Sequence, residues 1–408
     1  MPKISSKGYQ MPASPIRKLT PFADEAKRKG KKVYHLNIGQ PDIETPEVML
    51  NAIKNIDFKV WAYTASEGTL TYRSKLAEYY NKLNYNIGPE NILVTNGGSE
   101  AITIAMGACL DPGDEIIIPE PFYANYNGFA CMSDLVVKPI LSHIENGFAL
   151  PAISEFEKLI TEKTKAIIIC NPNNPTGYLY SQEELDELKT LCLKYDLFLF
   201  SDEAYREFCY DGKPFISPMH LDGLDENVIV MDTVSKRYSA CGARLGCLIT
   251  KNKEVLAAGL KFAQARLSPG MVAQIAGTAA IDTPTSYFEA VNKEYTERRD
   301  ILVKALNNID GVFCPNPGGA FYVVAKFPID NSDRFCQWML EEFDHDNQTV
   351  MMAPATGFYS TIGAGTNEVR LAYVLNKEDL KSAMECLEKA LTVYPGRVKI
   401  ENEEVREL

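Results

Sequence analysis

Six short apolar runs recur through the middle of the chain, each bounded by turn-forming residues. They occupy residues 92–95, 115–118, 166–170, 197–200, 228–231 and 247–249. The apolar residues are continuous rather than alternating, a pattern typical of strands that are covered on both faces. Helical segments separate the runs, and one of them opens with the capping-box pattern of Ser181 and Glu184. Strands that alternate with helices predict a doubly wound, mainly parallel α/β domain.

The length of the chain indicates more than one domain. A chain of 408 residues exceeds what one small core accommodates. We expect the large α/β domain over residues 46–285. Long charged helices around the apolar segment 319–324 predict a smaller α+β domain over residues 286–398. The N-terminal arm, residues 1–45, is expected to join the smaller domain, and residues 399–408 form a charged tail.

Composition excludes several classes of protein. The net charge of -12 argues against nucleic-acid binding, which needs a concentrated positive field. The ten cysteines show no CxxC spacing and the four histidines form no metal-ligand pair, so we expect no metal site. With no signal peptide and no apolar stretch of about 18 residues, the sequence predicts a cytoplasmic protein with reduced thiols.

A lysine follows the fifth apolar run in a distinctive segment, residues 233–246 (TVSKRYSACGARLG). Lys236 stands next to the hydroxyl groups of Thr233 and Ser235, eight residues before Arg244. This setting suits a Schiff base to an aldehyde cofactor whose phosphate pairs with the arginine. An exposed loop lysine is the alternative interpretation, and the hydroxyl groups and the glycines around Arg244 count against it.

Two further polar motifs follow strands directly. Ligands of doubly wound sheets gather beyond the carboxyl ends of the strands. In segment 171–177 (NPNNPTG) the prolines fix a turn from which Asn174 can present its amide. In segment 201–205 (SDEAY) Asp202 needs a cation at the end of a buried strand, and a protonated pyridine nitrogen would supply one. Simple turn chemistry and a helix N-cap are the respective alternatives.

Three weaker signals complete the set. Segment 96–100 (NGGSE) places glycines before a helix, where backbone amides can bind a phosphate, although an ordinary strand-to-helix turn fits equally well. Tyr123 could stack on a planar ring or simply pack in the core. Segment 368–373 (EVRLAY) is predicted as a short strand of alternating exposure. Its Arg370 could clamp a substrate carboxylate, with an edge-strand salt bridge as the alternative.

Taken together and in this order, these segments resemble the fold-type I, pyridoxal phosphate-dependent aminotransferases of class I/II, and they are most similar to the aspartate aminotransferase branch. The resemblance extends from segment 36–42 (LNIGQPD) to the C-terminal helices. It implies a large cofactor-binding domain, a smaller α+β domain, and transamination between an L-amino acid and a 2-oxo acid by a ping-pong mechanism.

The resemblance also implies roles for individual residues. Lys236 becomes the Schiff-base lysine, which also moves the proton from the substrate α-carbon. Asp202 becomes the partner of the pyridine nitrogen, Asn174 and Tyr205 bind the phenolic oxygen, and Tyr123 stacks on the ring. The phosphate is held by a set of glycine, hydroxyl and arginine residues, namely Gly98, Ser99, Thr233, Ser235 and Arg244.

Substrate binding and assembly follow from the same resemblance. Arg370 is expected to bind the α-carboxylate, with help from Asn174 and the backbone of Gly39. Tyr63 matches the tyrosine that reaches the phosphate of the neighbouring subunit's cofactor. The resemblance therefore implies a homodimer with shared active sites.

Some positions depart from the family pattern and leave the substrate open. Thr233 stands where serine or glycine is usual, Tyr123 where aspartate-specific members often have tryptophan, and Ala204 where a larger aliphatic residue is common. We expect aspartate and 2-oxoglutarate to be favoured, with aromatic or neutral amino acids as alternatives. A pyridoxal phosphate-dependent lyase acting on carbon–sulfur bonds or by β-elimination is a further alternative. A non-catalytic cofactor-binding regulator is disfavoured by the presence of Lys236 and by the absence of a recognisable DNA-binding segment.

Overall fold

The computed structural model describes residues 2–398, and the predicted charged tail, residues 399–408, lies outside them. The strands are β1 (Lys32–His35), β2 (Ile92–Thr95), β3 (Glu115–Glu120), β4 (Val136–Leu141), β5 (Thr164–Cys170), β6 (Phe198–Asp202), β7 (Val228–Thr233), β8 (Gly246–Ile249), β9 (Tyr322–Lys326), β10 (Gln348–Met351), β11 (Ala353–Pro354) and β12 (Glu368–Ala372). The α-helices are α1 (Ser6–Gln10), α2 (Thr20–Arg28), α3 (Glu47–Lys54), α4 (Leu70–Asn81), α5 (Gly98–Cys109), α6 (Asn125–Met132), α7 (Ile153–Leu159), α8 (Gln182–Tyr195), α9 (Val234–Arg237), α10 (Lys253–Arg266), α11 (Met271–Ala280), α12 (Thr285–Asn307), α13 (Ser332–Glu341) and α14 (Lys377–Val393). Among the helices of residues 2–398, none has the combination of length and apolar character that crossing a membrane requires.

The large sheet has seven strands in the order β2-β8-β7-β6-β5-β3-β4. Neighbours from β7 through β4 are parallel, whereas β8 is antiparallel to both β2 and β7. The six predicted runs all form strands of this sheet, and the predicted α/β fold class is confirmed. The sequence did not indicate β4, because Lys138 and Pro139 interrupt its apolar residues on the sheet edge.

Two apolar cores cover the two faces of this sheet. Ile116 and Ile118 of β3 pack into one core, and Ile117 between them packs into the other. The same alternation separates Phe200 from Leu199 in β6. Burying each such side chain contributes about 1.5–3 kcal/mol. The continuous apolar runs therefore arise because both faces of the strands are covered.

The helix between β5 and β6 begins where the sequence predicts it. Ser181 is the N-cap of α8, and its side chain accepts a hydrogen bond from the Glu184 backbone. Glu184 in turn accepts a hydrogen bond from the Ser181 backbone at 2.7 Å. The capping box is therefore present, and it fixes the start of the helix that returns the chain to the sheet.

The C-terminal region forms a second, smaller sheet in which β12 lies between β11 and β9, with both neighbours antiparallel. The arm joins this region because β1 pairs in parallel with β10. The prediction of alternating exposure for segment 368–373 is wrong. Since β12 is paired on both sides and its apolar side chains belong to the main apolar core, its residues from Val369 onward are buried. The domain boundaries at residues 45 and 285 stay predictions.

A buried ion cluster ties two strand ends together. Asp232, in β7, pairs with Arg206, which follows β6, at 2.7 Å, and with Arg237 at the end of α9. All three side chains are at most 3 % exposed. Burial alone would raise the pKa of Asp232, but the two guanidinium groups hold it at about 2. Asp232 also accepts a hydrogen bond from the Thr233 backbone at 2.7 Å. The cluster therefore fixes the positions of the chain segments that leave β6 and β7.

We expect Asp232→Asn to destabilise the protein strongly. The substitution removes the carboxylate that the two buried guanidinium groups share and leaves Arg206 with Glu203 and Arg237 with Glu207. Breaking a buried ion pair on one side costs about 3–5 kcal/mol. Denaturant unfolding of both proteins at pH 7 measures the difference. The control is Asp225→Asn, which breaks an exposed ion pair with Lys251 and should cost below about 1 kcal/mol. Equal losses for the two variants would contradict the structural role of the cluster.

Candidate active site

The carboxyl ends of the parallel strands open into a cleft of about 680 Å³. Its walls contain every predicted site residue except one: Gly39, Gly98, Ser99, Tyr123, Asn174, Asp202, Tyr205, Thr233, Ser235, Lys236, Arg244 and Arg370. The exception is Tyr63, which is 80 % exposed and is not part of the cleft wall. The strand order explains most of the convergence, since the segments that follow β2, β3, β5, β6 and β7 leave the same edge of the large sheet. Gly39 instead follows β1, and Arg370 lies in β12 of the smaller sheet.

Lys236 projects into this cleft from the short helix α9. Thr233 caps this helix by accepting a hydrogen bond from the Ser235 backbone at 3.2 Å. The Lys236 ammonium donates to the Gly39 carbonyl oxygen at 2.8 Å and lies 3.7 Å from Cys241 Sγ. Within residues 2–398 no carboxylate pairs with Lys236, so its amine is held at the cleft surface by neutral acceptors alone.

Asp202, the last residue of β6, is a buried carboxylate at the floor of the cleft. It accepts hydrogen bonds from Tyr126 Oη at 2.8 Å and from the Ala204 backbone at 3.2 Å. Burial raises its pKa to about 6 despite these two donors. In the described part of the chain Asp202 has no cationic partner, and a cationic N–H from a ligand would favour its ionised form.

The N-terminus of α5 forms one end of the cleft. Gly97 precedes it with a positive φ of 85°, and Gly98 and Ser99 begin the helix. A Cβ on Gly97 would lie 2.5 Å from Arg244 Nη2, and a Cβ on Gly246 would lie 2.7 Å from the Gly97 carbonyl carbon. The glycines thus allow backbone, arginine and helix end to approach one another closely. The exposed backbone N–H groups and the helix dipole favour an anion here.

Two hydroxyl groups complete this anion-binding end. Thr233 Oγ1 and Ser235 Oγ are 2.7 Å apart, and both residues line the cleft together with Arg244. Arg244 keeps its guanidinium at the cleft with one hydrogen bond to the Cys241 carbonyl oxygen. A planar guanidinium, two hydroxyl groups and a helix N-terminus together match the oxygens of a phosphate.

Arg370 forms the opposite side of the cleft and is only 1 % exposed. It donates to Asn174 Oδ1 at 3.1 Å and to the Asn37 carbonyl oxygen, and its guanidinium lies 4.7 Å from the ring centres of Tyr322 and Phe358. Its Nε has no hydrogen-bond partner in the described structure, and no carboxylate pairs with it there. Burial lowers the pKa of Arg370, and the nearby phenol groups of Tyr322, Tyr205 and Tyr123 partly oppose this effect. A buried guanidinium in this state is a binding group for a carboxylate.

Phenol groups line the cleft between these charged groups. Asn174 donates to Tyr205 Oη at 3.3 Å, and Tyr205 Oη lies 2.9 Å from Tyr322 Oη. Tyr123 accepts a hydrogen bond from Asn125 at 2.8 Å. Burial raises the pKa of Tyr123 to about 12 and that of Tyr205 well above its ordinary value. Both phenols therefore stay protonated at neutral pH and can donate hydrogen bonds.

Several residues at the cleft were not predicted from the sequence. Tyr126 orients Asp202 by donating a hydrogen bond to its carboxylate. The hydroxyl group of Tyr322 contacts that of Tyr205. It also lies so close to Gly39 that a Cβ on this glycine would be 1.7 Å from the Tyr322 oxygen. No sequence motif singles out Tyr126, and Tyr322 stands in the apolar segment 319–324, to which the sequence analysis assigns no site role. The arm contributes Ser14, Ile16 and Arg17, whose approach to the cleft carries no sequence signal at all.

The residues of the cleft fit pyridoxal 5′-phosphate. The amine of Lys236 suits the aldehyde, and the buried carboxylate of Asp202 suits a protonated ring nitrogen. The α5 terminus with its hydroxyl groups and Arg244 suits the phosphate. The close approach allowed by Gly97 and Gly246 is needed at that end, where a side chain would fill the space.

Comparison with known proteins gives a consistent result. The family model for aminotransferase class I and II matches residues 31–387. An aspartate aminotransferase of Pyrococcus horikoshii is 33 % identical over 90 % of this chain and 93 % of its own. An aromatic-amino-acid aminotransferase of Thermococcus litoralis is 31 % identical over 93 % of this chain and 95 % of its own. The solved structure of an alanine aminotransferase from Pyrococcus furiosus is 34 % identical, with a TM-score of 0.87 over 95 % of this chain and 99 % of its own.

The raised pKa of Asp202 predicts a specific pH dependence in the cofactor-free protein. The pKa of Asp202 is about 6 in the folded protein, against 3.8 for an ordinary aspartate side chain. The protonated carboxyl therefore contributes its full stabilisation below pH 3.8, and this contribution is lost as the pH rises through 6. We expect the free energy of unfolding of the wild type, relative to Asp202→Asn, to increase by up to about 3 kcal/mol between pH 7 and pH 4. Denaturant unfolding of both proteins at several pH values measures this difference. Other ionisable groups cancel in the comparison, so a difference that does not vary with pH would contradict the prediction.

Proposed function

The chain belongs to the class I and II aminotransferases, a family of pyridoxal phosphate-dependent enzymes, and we propose that it transfers the amino group of an L-amino acid to a 2-oxo acid with pyridoxal 5′-phosphate as cofactor. We propose aspartate as the favoured donor and 2-oxoglutarate as the favoured acceptor. One observation carries the proposal: the amine of Lys236, the buried carboxylate of Asp202 and the buried guanidinium of Arg370 meet in one cleft without ionic partners among residues 2–398.

The cofactor would be held at both ends. Asp202 would pair with the ring nitrogen, Asn174 and Tyr205 would bind the phenolic oxygen, and Tyr123 would stack on the ring. Asp202 supports this assignment because a cationic partner would remove the cost of ionising it in a buried position. The phosphate would be bound at the N-terminus of α5 and its surroundings, by Gly98, Ser99, Thr233, Ser235 and Arg244.

When bound, pyridoxal phosphate supplies the aldehyde that bonds to amines and a ring that accepts the electron pair left after loss of the substrate α-proton. Arg370 binds the α-carboxylate, and its bonds to Asn174 and Asn37 fix the orientation of its guanidinium. Lys236 carries the proton from the substrate α-carbon, with the Gly39 carbonyl oxygen within hydrogen-bond reach of Nζ. Gly39 also lies on the Arg370 side of the cleft and supports the carboxylate with its backbone. The chain therefore contributes orientation and the base that moves one proton of the substrate.

The relatives do not decide which amino acid is the substrate, because they are named for aspartate, for aromatic amino acids and for alanine. Aspartate and 2-oxoglutarate both carry a second carboxylate beyond the one that Arg370 would bind. A further cationic group in the cleft would therefore favour them. Aromatic substrates are supported instead by the apolar wall residues Ile16 and Ile38 and by the phenol of Tyr123.

We also propose a homodimer in which each subunit completes the other's site. Val60, Trp61 and Tyr63 are each more than 70 % exposed and form a contiguous aromatic and aliphatic segment. Exposed apolar segments of this kind mark interaction surfaces. Tyr63 would reach the phosphate of the cofactor in the second copy. We further propose the boundaries at residues 45 and 285 as those of the cofactor-binding domain, with the arm belonging to the smaller domain.

A half-reaction screen tests the proposed function. The cofactor-loaded protein is mixed with each amino acid in turn, and the absorption of the bound cofactor and the 2-oxo acid formed are both measured. We expect Lys236→Ala to lower the rate at least about 10³-fold, because the proton carrier is lost. The control is Lys194→Ala, a surface lysine that pairs with Glu157. Steady 2-oxo acid formation without any acceptor would contradict transamination and indicate the lyase.

The proposed dimer predicts a specific effect of Tyr63→Phe. The variant loses one hydrogen bond to a charged phosphate, so we expect the Kd for pyridoxal phosphate to rise on the order of 10-fold. Equilibrium dialysis measures the Kd, and light scattering measures the molar mass of both proteins. The matched control is Tyr195→Phe, a surface tyrosine on α8 that bonds to Glu157. A monomeric wild type, or an unchanged Kd, would refute the assignment of Tyr63.

A further inference from the structure

Arg17 is a cationic residue of the cleft that has no role in the proposed reaction as described above. It belongs to the arm, in the turn just before α2, and it lines the cleft together with Ser14 and Ile16. Within residues 2–398 its guanidinium forms no salt bridge, whereas the adjacent Lys18 pairs with Asp333. Arg17 is exposed in the chain alone, so its side chain can meet a ligand that enters the cleft.

The backbone that carries Arg17 is held on both sides. Pro15 packs so closely on Gly357 that a Cβ on that glycine would lie 2.1 Å from Pro15 Cβ. Ile16 packs against the buried apolar cluster that contains Phe358, which also lies beside Arg370. On the other side Leu19 is only 2 % exposed. The position of Arg17 relative to the cleft is therefore set by packing rather than by a loose terminus.

The charges of the cleft leave one cation without an anion. Its walls carry four cationic side chains, those of Arg17, Lys236, Arg244 and Arg370, and one carboxylate, that of Asp202. In the proposed function Arg244 meets the phosphate, Arg370 meets the α-carboxylate, and Lys236 meets the aldehyde. The carboxylate of Asp202 meets the ring nitrogen. Arg17 then has no counterpart in the cofactor or in the common part of an amino acid.

We propose that Arg17 binds the side-chain carboxylate of the substrate, so that the cleft selects dicarboxylic amino acids and dicarboxylic 2-oxo acids. This inference rests on the proposed function. A guanidinium can bind such a carboxylate through two parallel hydrogen bonds, which supplies direction as well as charge. The apolar side chains of Ile16 and Ile38 line the cleft and can contact the methylene groups between the two carboxylates. Arg370 and Arg17 thus bind the two ends of one substrate.

Steady-state kinetics of the cofactor-loaded protein test the role of Arg17. We expect Arg17→Met to lower the ratio of kcat/KM for aspartate to kcat/KM for alanine on the order of 10-fold to 100-fold, because a charge-assisted hydrogen-bond pair is lost. Arg17→Lys keeps the charge without the planar fork and should show a smaller decrease. The matched control is Arg28→Met, since Arg28 is an exposed arginine of the same arm that pairs with Glu25. A ratio unchanged in Arg17→Met would overturn the proposal.

Binding of two non-reacting acids gives a readout that does not depend on turnover. Succinate carries two carboxylates and butyrate carries one, and calorimetric titration of the loaded protein measures both Kd values. We expect Arg17→Met to raise the ratio of the succinate Kd to the butyrate Kd on the order of 10-fold to 100-fold. An equal change for both acids would refute the role of Arg17.

The two proposals fail in distinguishable ways. If the wild type transfers amino groups from neutral or aromatic amino acids faster than from aspartate and glutamate, aminotransfer stands and the role of Arg17 is overturned. If no amino acid reacts, the proposed function fails, and the succinate and butyrate titrations still decide whether Arg17 selects dicarboxylates.

Discussion

The ion cluster around Asp232 is the contact on which the geometry of the cleft depends. Its carboxylate binds Arg206, four residues after the end of β6, and Arg237, four residues after the end of β7. The segment after β6 also carries Tyr205, and the segment after β7 carries Lys236. A buried carboxylate between two buried guanidinium groups tolerates little displacement, because each group is desolvated and needs the others. The cluster therefore couples the two segments beneath the cleft to one another as well as to the sheet.

The cleft itself shows the opposite arrangement of charge. Asp202 and Arg370 are buried in the described structure without ionic partners, and both have pKa values that burial moves toward the neutral form. Such groups lower the stability of the chain alone and are compensated when a ligand of complementary charge binds. A completed ion cluster supports the fold, whereas in the proposed function the unpaired groups of the cleft gain their ionic partners from the cofactor and the substrate. The same chemistry thus serves stability at Asp232 and binding at Asp202.

The sequence predicts those parts of the molecule in which neighbours in sequence are neighbours in space. Continuous apolar runs identify six of the seven strands of the large sheet. Polar residues that follow these strands closely, such as Asp202 and Asn174, reach one edge because parallel strands end together. The pattern fails at β4, where Lys138 and Pro139 are tolerated on a sheet edge. It also fails to show that Arg370 is buried, because this burial results from pairing of β12 with two distant strands. Tyr126 and Tyr322 were missed for the same reason, since their contacts link segments far apart in sequence.

The groups assigned to the cofactor and the residue proposed to bind the substrate side chain are held by different parts of the molecule. The groups assigned to the cofactor stand at strand ends and helix termini that the large sheet fixes in place. Arg17 instead stands on an arm that packs against Gly357 and the cluster around Phe358, outside that sheet. In the proposed function, a substitution at Arg17 therefore alters the charge that meets the substrate side chain and leaves the Asp232 cluster and the phosphate-binding end, which Arg17 does not contact by a hydrogen bond or a salt bridge among residues 2–398, in place. Such a division would allow the group that meets the substrate side chain to change while the cofactor-binding frame stays in place. In the proposed arrangement, the residue that binds the substrate side chain lies in the segment with the weakest sequence signal, because the packing that positions it joins residues far apart in sequence.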